Sequence, residues 1–145
     1  MPNILIVYGS TTGNTEMVAE QLAKQLETYS PKMQDITDTK PEDLQQYEVI
    51  IAGASTWDDG LLQTDFRDFA EGLTVNLAGK KMAVFGLGDS NYPEFCKAAD
   101  ILKQTFTSLG AELLVEPLKI DGFPDEEENE QKLNQWGEQV KSALA

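Results

Sequence analysis

The sequence contains no histidine, one cysteine and no apolar run long enough to span a membrane. Without histidine the usual general base is missing, and so is every Ser-His or Cys-His nucleophile pair. The single cysteine, Cys96, excludes an internal disulfide and suits a reducing compartment. Because the first residues show no secretory signal, we expect a cytoplasmic protein without membrane insertion. Any chemistry must come from carboxylates, from the backbone or from a cofactor.

Basic residues are also scarce. The chain has 11 Lys and Arg against 25 Asp and Glu, a formal net charge of −14. This charge argues against nucleic acid as a partner, because its phosphates require basic residues. It is compatible with simple solubility and with electrostatic steering toward basic partners. At 145 residues, 41% of them apolar, the chain has the size of one domain, residues 1–145, with a buried core.

Apolar runs and helical patterns alternate along the chain. Five runs predict strands at 4–7, 33–36, 49–54, 81–86 and 112–120. The fifth run is interrupted by Pro117, which suits an edge strand. Apolar residues at helical spacing predict helices that begin near Thr15, Leu62, Phe95 and Pro124. Such alternation implies the α/β class, with a parallel sheet covered by helices on both faces.

The loop after the first strand carries the strongest functional signal. Its residues, Ser10-Thr11-Thr12-Gly13-Asn14-Thr15, place four hydroxyls and a glycine at the start of a helix. Because N–H groups and the helix dipole favour an anion there, the loop predicts a phosphate site built from neutral donors. Helix capping alone would explain one hydroxyl and one glycine. The spacing fits neither a P-loop nor a G-x-G-x-x-G fingerprint.

Two further loops follow strands that end at the same edge of the predicted sheet. One, residues 55–60, contains Trp57, and the other, residues 86–92, contains Tyr92. Ligands of open α/β sheets bind beyond the carboxyl ends of the strands, and two aromatic side chains there suggest a planar ring stacked between them. Alternatively, each aromatic ring covers the surface as a local hydrophobic cap.

With these three loops the chain resembles a flavodoxin of the short-chain type along nearly its whole length. The motifs that carry the resemblance are residues 10–15, Ser55-Thr56-Trp57, and Gly88-Asp89-Ser90-Asn91-Tyr92 with Phe95-Cys96 beyond. The resemblance implies a three-layer sandwich around a five-stranded parallel sheet of order 2-1-3-4-5, with helices on both faces. It also implies bound FMN.

The family pattern implies a role for each part of the site. Residues 10–15 would hold the phosphate, and Trp57 and Tyr92 would enclose the isoalloxazine ring. The backbone of residues 87–89 would meet the pyrimidine edge of the ring, while Thr56 and Asp58 would lie along its N5 side. The full set of implied cofactor-binding residues is Ser10, Thr11, Thr12, Gly13, Asn14, Thr15, Ser55, Thr56, Trp57, Asp58, Leu87, Gly88, Asp89, Tyr92, Phe95 and Cys96. Since many short-chain members carry glycine at the position of Asp58, we expect a less stabilised one-electron-reduced flavin here.

The resemblance implies a monomeric, low-potential one-electron carrier rather than an enzyme. Acidic surroundings and a phosphate without a basic counterion would disfavour the anion of the fully reduced flavin. The expected partners are basic-surfaced reductases and electron acceptors that dock transiently. One alternative is an FMN-dependent oxidoreductase like the quinone reductases, which would need longer loops and a dimer interface. A phosphoacceptor signalling domain would need acids where Gly9-Ser10 and Ala54-Ser55 stand.

Overall fold

The computed structural model describes residues 2–9, 13–55, 64–88, 97–122, 124 and 126–144. The strands are β1 (Ile4–Gly9), β2 (Lys32–Asp35), β3 (Val49–Ser55), β4 (Lys81–Gly88), β5 (Glu112–Leu113) and β6 (Leu118–Asp121). The α-helices are α1 (Asn14–Gln25), α2 (Thr64–Glu71), α3 (Lys97–Ser108) and α4 (Glu127–Leu144). Short 3₁₀ turns cover Glu27–Tyr29, Ile36–Asp38 and Pro41–Gln46. Within these ranges, no helix is both long and apolar enough to cross a membrane.

The described strands form one parallel sheet in the order β2-β1-β3-β4-β5. β6 also pairs with β4, on the same side as β5 but nearer to the carboxyl end of β4. The predicted order 2-1-3-4-5 is therefore confirmed, with the predicted fifth strand present as two segments on one edge of the sheet. Parallel neighbours require a crossover after each strand, and helices and 3₁₀ turns of the described chain provide these connections.

The edge strand changes register halfway along β4. Glu112 lies opposite Lys81, whereas Leu118 lies opposite Phe85, so the edge strand holds two more residues than β4 between these pairs. The Leu114 N–H still donates to the Met82 carbonyl at 2.8 Å, so residues 115–117 accommodate the difference. Pro117 cannot donate a ladder hydrogen bond, and the indole N–H of Trp136 donates to the carbonyl of Glu116 at 2.8 Å. The predicted interruption at Pro117 is thus confirmed, and a side chain of α4 holds it in place.

Alternate residues of each central strand face opposite sides of the sheet. On one side, Ile4, Ile6 and Tyr8 of β1 pack in a cluster with residues of α1 and α4. On the other side, Leu5 and Val7 pack in a second cluster with residues of α2 and α3. Since both faces are covered, the central strands carry apolar residues at successive positions, which is why they stand out in the sequence. The predicted helices on both faces are confirmed.

The sheet face toward α1 and α4 has one very tight contact between strands. Gly53 of β3 lies opposite Phe85 of β4, and the Phe85 ring occupies the space where a side chain at position 53 would stand. Phe85 is fully buried and meets Trp136 edge-on, with ring centroids 6.3 Å apart at an interplanar angle of 70°. The glycine therefore leaves room for the end of a large aromatic ring next to the backbone of β3.

Candidate functional site

The turn between β1 and α1 has the geometry of an anion site on its helical side. Gly13 precedes the helix with φ 91° and ψ −9°, in the left-handed region that favours glycine. Within the described part of the chain, nothing lies within 4 Å of a Cβ added there, so the backbone conformation rather than packing requires glycine. The Met17 N–H donates to the Gly13 carbonyl at 3.0 Å, which closes the first helical turn. The N–H groups of Asn14 and Thr15 lie within that turn, at the positive end of the helix dipole.

A partly buried hydrogen bond fixes the one acidic side chain in the first turn of α1. The hydroxyl of Tyr8, near the end of β1, donates to Oε1 of Glu16 at 3.0 Å. Burial of the phenol, aided by Glu16, raises the pKa of Tyr8 from 10.0 to about 12, so Tyr8 remains a neutral donor at physiological pH. No Lys or Arg precedes Lys24 in the sequence. A ligand phosphate at this turn would thus meet neutral donors and a nearby carboxylate.

The carboxyl ends of the three central strands lie side by side. Gly9, the last residue of β1, is opposite Ala54, and Ser55, the last residue of β3, is opposite Leu87 of β4. Leu87 is only 4% exposed and belongs to the core beneath α1 and α4, so its backbone rather than its side chain faces any ligand. The described candidates Ser55, Leu87 and Gly88 therefore lie at the carboxyl ends of β3 and β4. β1 ends at the same edge of the sheet, and Gly13 and α1 follow it in the chain.

Elements from the C-terminal part of the chain hold the end of β4. Gly88 is opposite Asp121 of β6, and its carbonyl accepts a hydrogen bond from the N–H of Gly122 at 2.9 Å. In the first turn of α4, Nδ2 of Asn129 donates to the Asp121 carbonyl at 2.8 Å. Asn129 was not among the residues predicted from the sequence. It lies four residues before Leu133 on the same helix, so it is a polar residue on the apolar face of α4. That pattern is the signal by which it could have been found.

The other candidate residues lie outside the described part of the chain. They are Ser10, Thr11, Thr12, Thr56, Trp57, Asp58, Asp89, Tyr92, Phe95 and Cys96. Their placement in the site therefore stays a prediction. Of the predicted phosphate loop, the described residues are Gly13, Asn14 and Thr15, and Thr15 is 2% exposed.

Relatives with this sequence pattern are flavodoxins. A family model described as Flavodoxin matches residues 6–136. The flavodoxin of Maridesulfovibrio salexigens is 39% identical over 150 aligned positions, which cover 99% of this chain and 100% of that protein. A protein named probable flavodoxin 2, from Bacillus subtilis, is 34% identical over 138 positions, which cover 92% of this chain and 91% of its own length.

Solved structures give the same result. Oxidised flavodoxin 2 from Bacillus cereus superposes with a TM-score of 0.92 at 37% identity, covering 97% of this chain and 98% of that one. A flavodoxin from Fusobacterium nucleatum, solved bound to flavin mononucleotide, is 16% identical with a TM-score of 0.84 over 98% of each chain, which shows a shared fold. The matches in sequence span almost the full length of the chain and agree with the observed strand order. The chain therefore belongs to the flavodoxin family.

Proposed function

We propose that this chain is a low-potential one-electron carrier that binds FMN at the carboxyl edge of its sheet. One observation carries the proposal. The left-handed Gly13 and the N-terminus of α1 open at the same edge where β3 and β4 end in register at Ser55 and Leu87. Bound FMN supplies the one-electron chemistry, which matches a chain that has no histidine.

The first turn of α1 is the phosphate end of the proposed site. The N–H groups of Asn14 and Thr15 are oriented by the helix, and residues 10–12 add hydroxyl donors from the same loop. The left-handed glycine lets the backbone approach the phosphate closely, because no side chain projects from it. The Tyr8–Glu16 hydrogen bond holds the only acidic side chain of this turn against the end of β1.

The ends of β3 and β4 form the ring end of the proposed site. Ser55 leads into the segment with Thr56, Trp57 and Asp58, and Gly88 leads into the segment with Asp89 and Tyr92. Phe95 and Cys96 follow just before α3. In this proposal the two aromatic side chains stack on the ring and exclude water from it, while backbone groups beside Leu87 bind its polar edge.

The charge of the chain supports a low potential and basic partners. The net charge is −14, and residues 10–15, 55–60 and 86–92 contain no Lys or Arg. A phosphate dianion held by neutral donors, beside Glu16, leaves the site electronegative, so adding a further negative charge to the ring is disfavoured. Acidic surfaces dock transiently with basic-surfaced redox proteins and bind more slowly at high salt. We propose that the carrier acts as a monomer.

Anaerobic reduction of the FMN-loaded protein, followed by visible absorption, tests the proposal. We expect two successive one-electron steps and no oxidation of reduced nicotinamide by the isolated protein. A protein that takes up no FMN would refute the site. Direct two-electron reduction coupled to nicotinamide oxidation would favour an FMN-dependent oxidoreductase instead.

A matched pair of glycine variants tests the position of the phosphate. Gly13 and Gly79 both have positive φ, 91° and 84°, and an added Cβ at either meets nothing within 4 Å in the described chain. Alanine at either position strains the backbone by about 1–2 kcal/mol. Only Gly13 lies at the carboxyl edge, since Gly79 comes just before β4 begins. We therefore expect Gly13→Ala to weaken FMN more than riboflavin, and Gly79→Ala to leave both affinities unchanged. Equal effects of the two variants would contradict the placement.

A further inference from the structure

The buried amide of Asn129 is a polar group on an otherwise apolar face of α4. It is 5% exposed and lies on the same helix face as Leu133, Trp136 and Val140, which belong to the core. We infer that Asn129 is a positioning residue that fixes the end of β4 for flavin-ring binding. The inference rests on the proposed function and extends it to a residue of the C-terminal helix.

Two successive hydrogen bonds connect Asn129 to the end of β4. Its Nδ2 donates to the carbonyl of Asp121 at 2.8 Å, and the next residue, Gly122, donates its N–H to the carbonyl of Gly88 at 2.9 Å. Gly122 has φ 88°, a turn conformation that favours glycine and ends β6 at this point. The side chain of Asn129 therefore holds the Asp121–Gly122 turn, and this turn holds the carbonyl of Gly88.

The Gly88 carbonyl matters because a peptide group is rigid and planar. Once Gly122 fixes the direction of that carbonyl, the orientation of the whole peptide group that follows Gly88 is fixed as well. In the proposed site this peptide group lies at the polar edge of the flavin ring. A shift of the Asp121–Gly122 turn would therefore reach the ring end of the proposed site through Gly88.

Helix formation alone does not explain an asparagine at position 129. Asparagine is a poorer helix former than alanine or leucine, and burying its amide is costly unless it is hydrogen-bonded. The bond to Asp121 offsets part of that cost, and it connects α4 to the edge strand. Its partner lies at the edge of the proposed site.

The experiment compares Asn129→Asp with Asn134→Ala in the full-length chain. The aspartate keeps the shape but removes the N–H donors, and an acid in the first turn of α4 suits the helix dipole. Asn134 is exposed on the same helix, and its backbone carbonyl accepts a hydrogen bond from Gln25 that alanine retains. Dissociation constants for FMN and for riboflavin, together with amide hydrogen exchange of Gly122, are measured for both variants. Asn129→Ala repeats the test if the aspartate variant does not fold.

We expect Asn129→Asp to weaken FMN and riboflavin by the same factor, roughly three- to tenfold, which corresponds to the loss of one hydrogen bond. The Gly122 amide should exchange faster, and Asn134→Ala should change neither quantity. Unchanged affinities in a folded Asn129 variant would overturn the inference while leaving the proposed function intact. Weakening of FMN alone would also overturn it, because the residue would then act on the phosphate end. Failure of the unaltered protein to bind FMN would refute the proposed function and the inference with it.

Discussion

Replacing Gly53 by alanine should destabilise the protein strongly, although the change adds only one methyl group. A Cβ at this position would overlap three ring atoms of Phe85, which is fully buried. The ring would have to retreat by roughly 1 Å or more before ordinary contact, which begins near 3.4 Å, is restored. Phe85 is fully buried in a close-packed core and also contacts Trp136, so its ring can move only by displacing neighbouring side chains.

The expected cost combines two opposing effects. Overpacking of a filled core costs about 1–3 kcal/mol and sometimes more, whereas alanine restricts the unfolded chain and recovers about 0.4–1 kcal/mol. Because the overlap with Phe85 is large, we expect the upper part of this difference, a fall of about 1.5–2.5 kcal/mol in the free energy of unfolding. For a chain of this length, that corresponds to a fall in the melting temperature of roughly 4–9 °C.

Urea unfolding of five proteins tests the reasoning: the unaltered chain, Gly53→Ala, Phe85→Leu, the double variant and a control. Phe85→Leu alone should cost about 1–2 kcal/mol because it leaves a small cavity. In the double variant the alanine methyl group occupies part of that cavity. The double variant should therefore lose less free energy of unfolding than the sum of the two single losses, by about 1 kcal/mol or more. Gly72→Ala is the control, since a Cβ there meets only backbone oxygens at 3.9 and 4.0 Å. Additive losses, or a Gly53→Ala variant within about 0.5 kcal/mol of the unaltered chain, would refute the argument.

Three further predictions concern single hydrogen bonds and helix packing. Because the pKa of Tyr8 is raised from 10.0 to about 12, the folded protein keeps this phenol neutral where the unfolded chain ionises it. Stability should therefore fall as the pH rises from 10 through 12, and Tyr8→Phe should remove both that dependence and one late step in the tyrosinate absorbance titration. Gly137→Ala should change the free energy of unfolding by less than about 1 kcal/mol or raise it, since alanine favours the helix and the Gln25 side-chain end in its way is flexible. A larger loss in thermal unfolding would show that Gln25 cannot turn aside. Trp136→Phe should cost about 1–2 kcal/mol in urea unfolding because the Glu116 carbonyl loses its donor. An unchanged midpoint would mean that water replaces the indole at no cost.

The central sheet could be predicted from sequence because its strands are covered on both faces. Continuous apolar runs at β1, β3 and β4 left little ambiguity, and the structure extends the β3 and β4 predictions by one and two residues. The edge strand was harder, since it carries polar residues and its register changes between Leu113 and Leu118. Pro117 marked the interruption, but no local pattern shows that two extra residues are accommodated. The last helix begins at Glu127, later than the predicted start at Pro124.

The site could be predicted where it depends on local loops and could not where it depends on tertiary contacts. Hydroxyls and a glycine before a helix are visible in a short stretch, so the turn at Gly13 was found directly. The bond from Tyr8 to Glu16 joins a strand to the next helix, and the bond from Asn129 to Asp121 joins α4 to the edge strand. Both depend on how elements pack, which a single sequence indicates only through unusual residues on apolar faces.

The change of register between β5 and β6 has a consequence for where residues can be inserted into the chain. Residues 112–113 and 118–121 each pair with β4 in their own register, so neither segment depends on the number of residues between them. An insertion at 115–117 would lie between the two paired segments and leave the pairing of Gly88 with Asp121 in place. Natural variation and deliberate grafting of peptides can therefore enlarge the protein here, at little cost to the edge where the strands end.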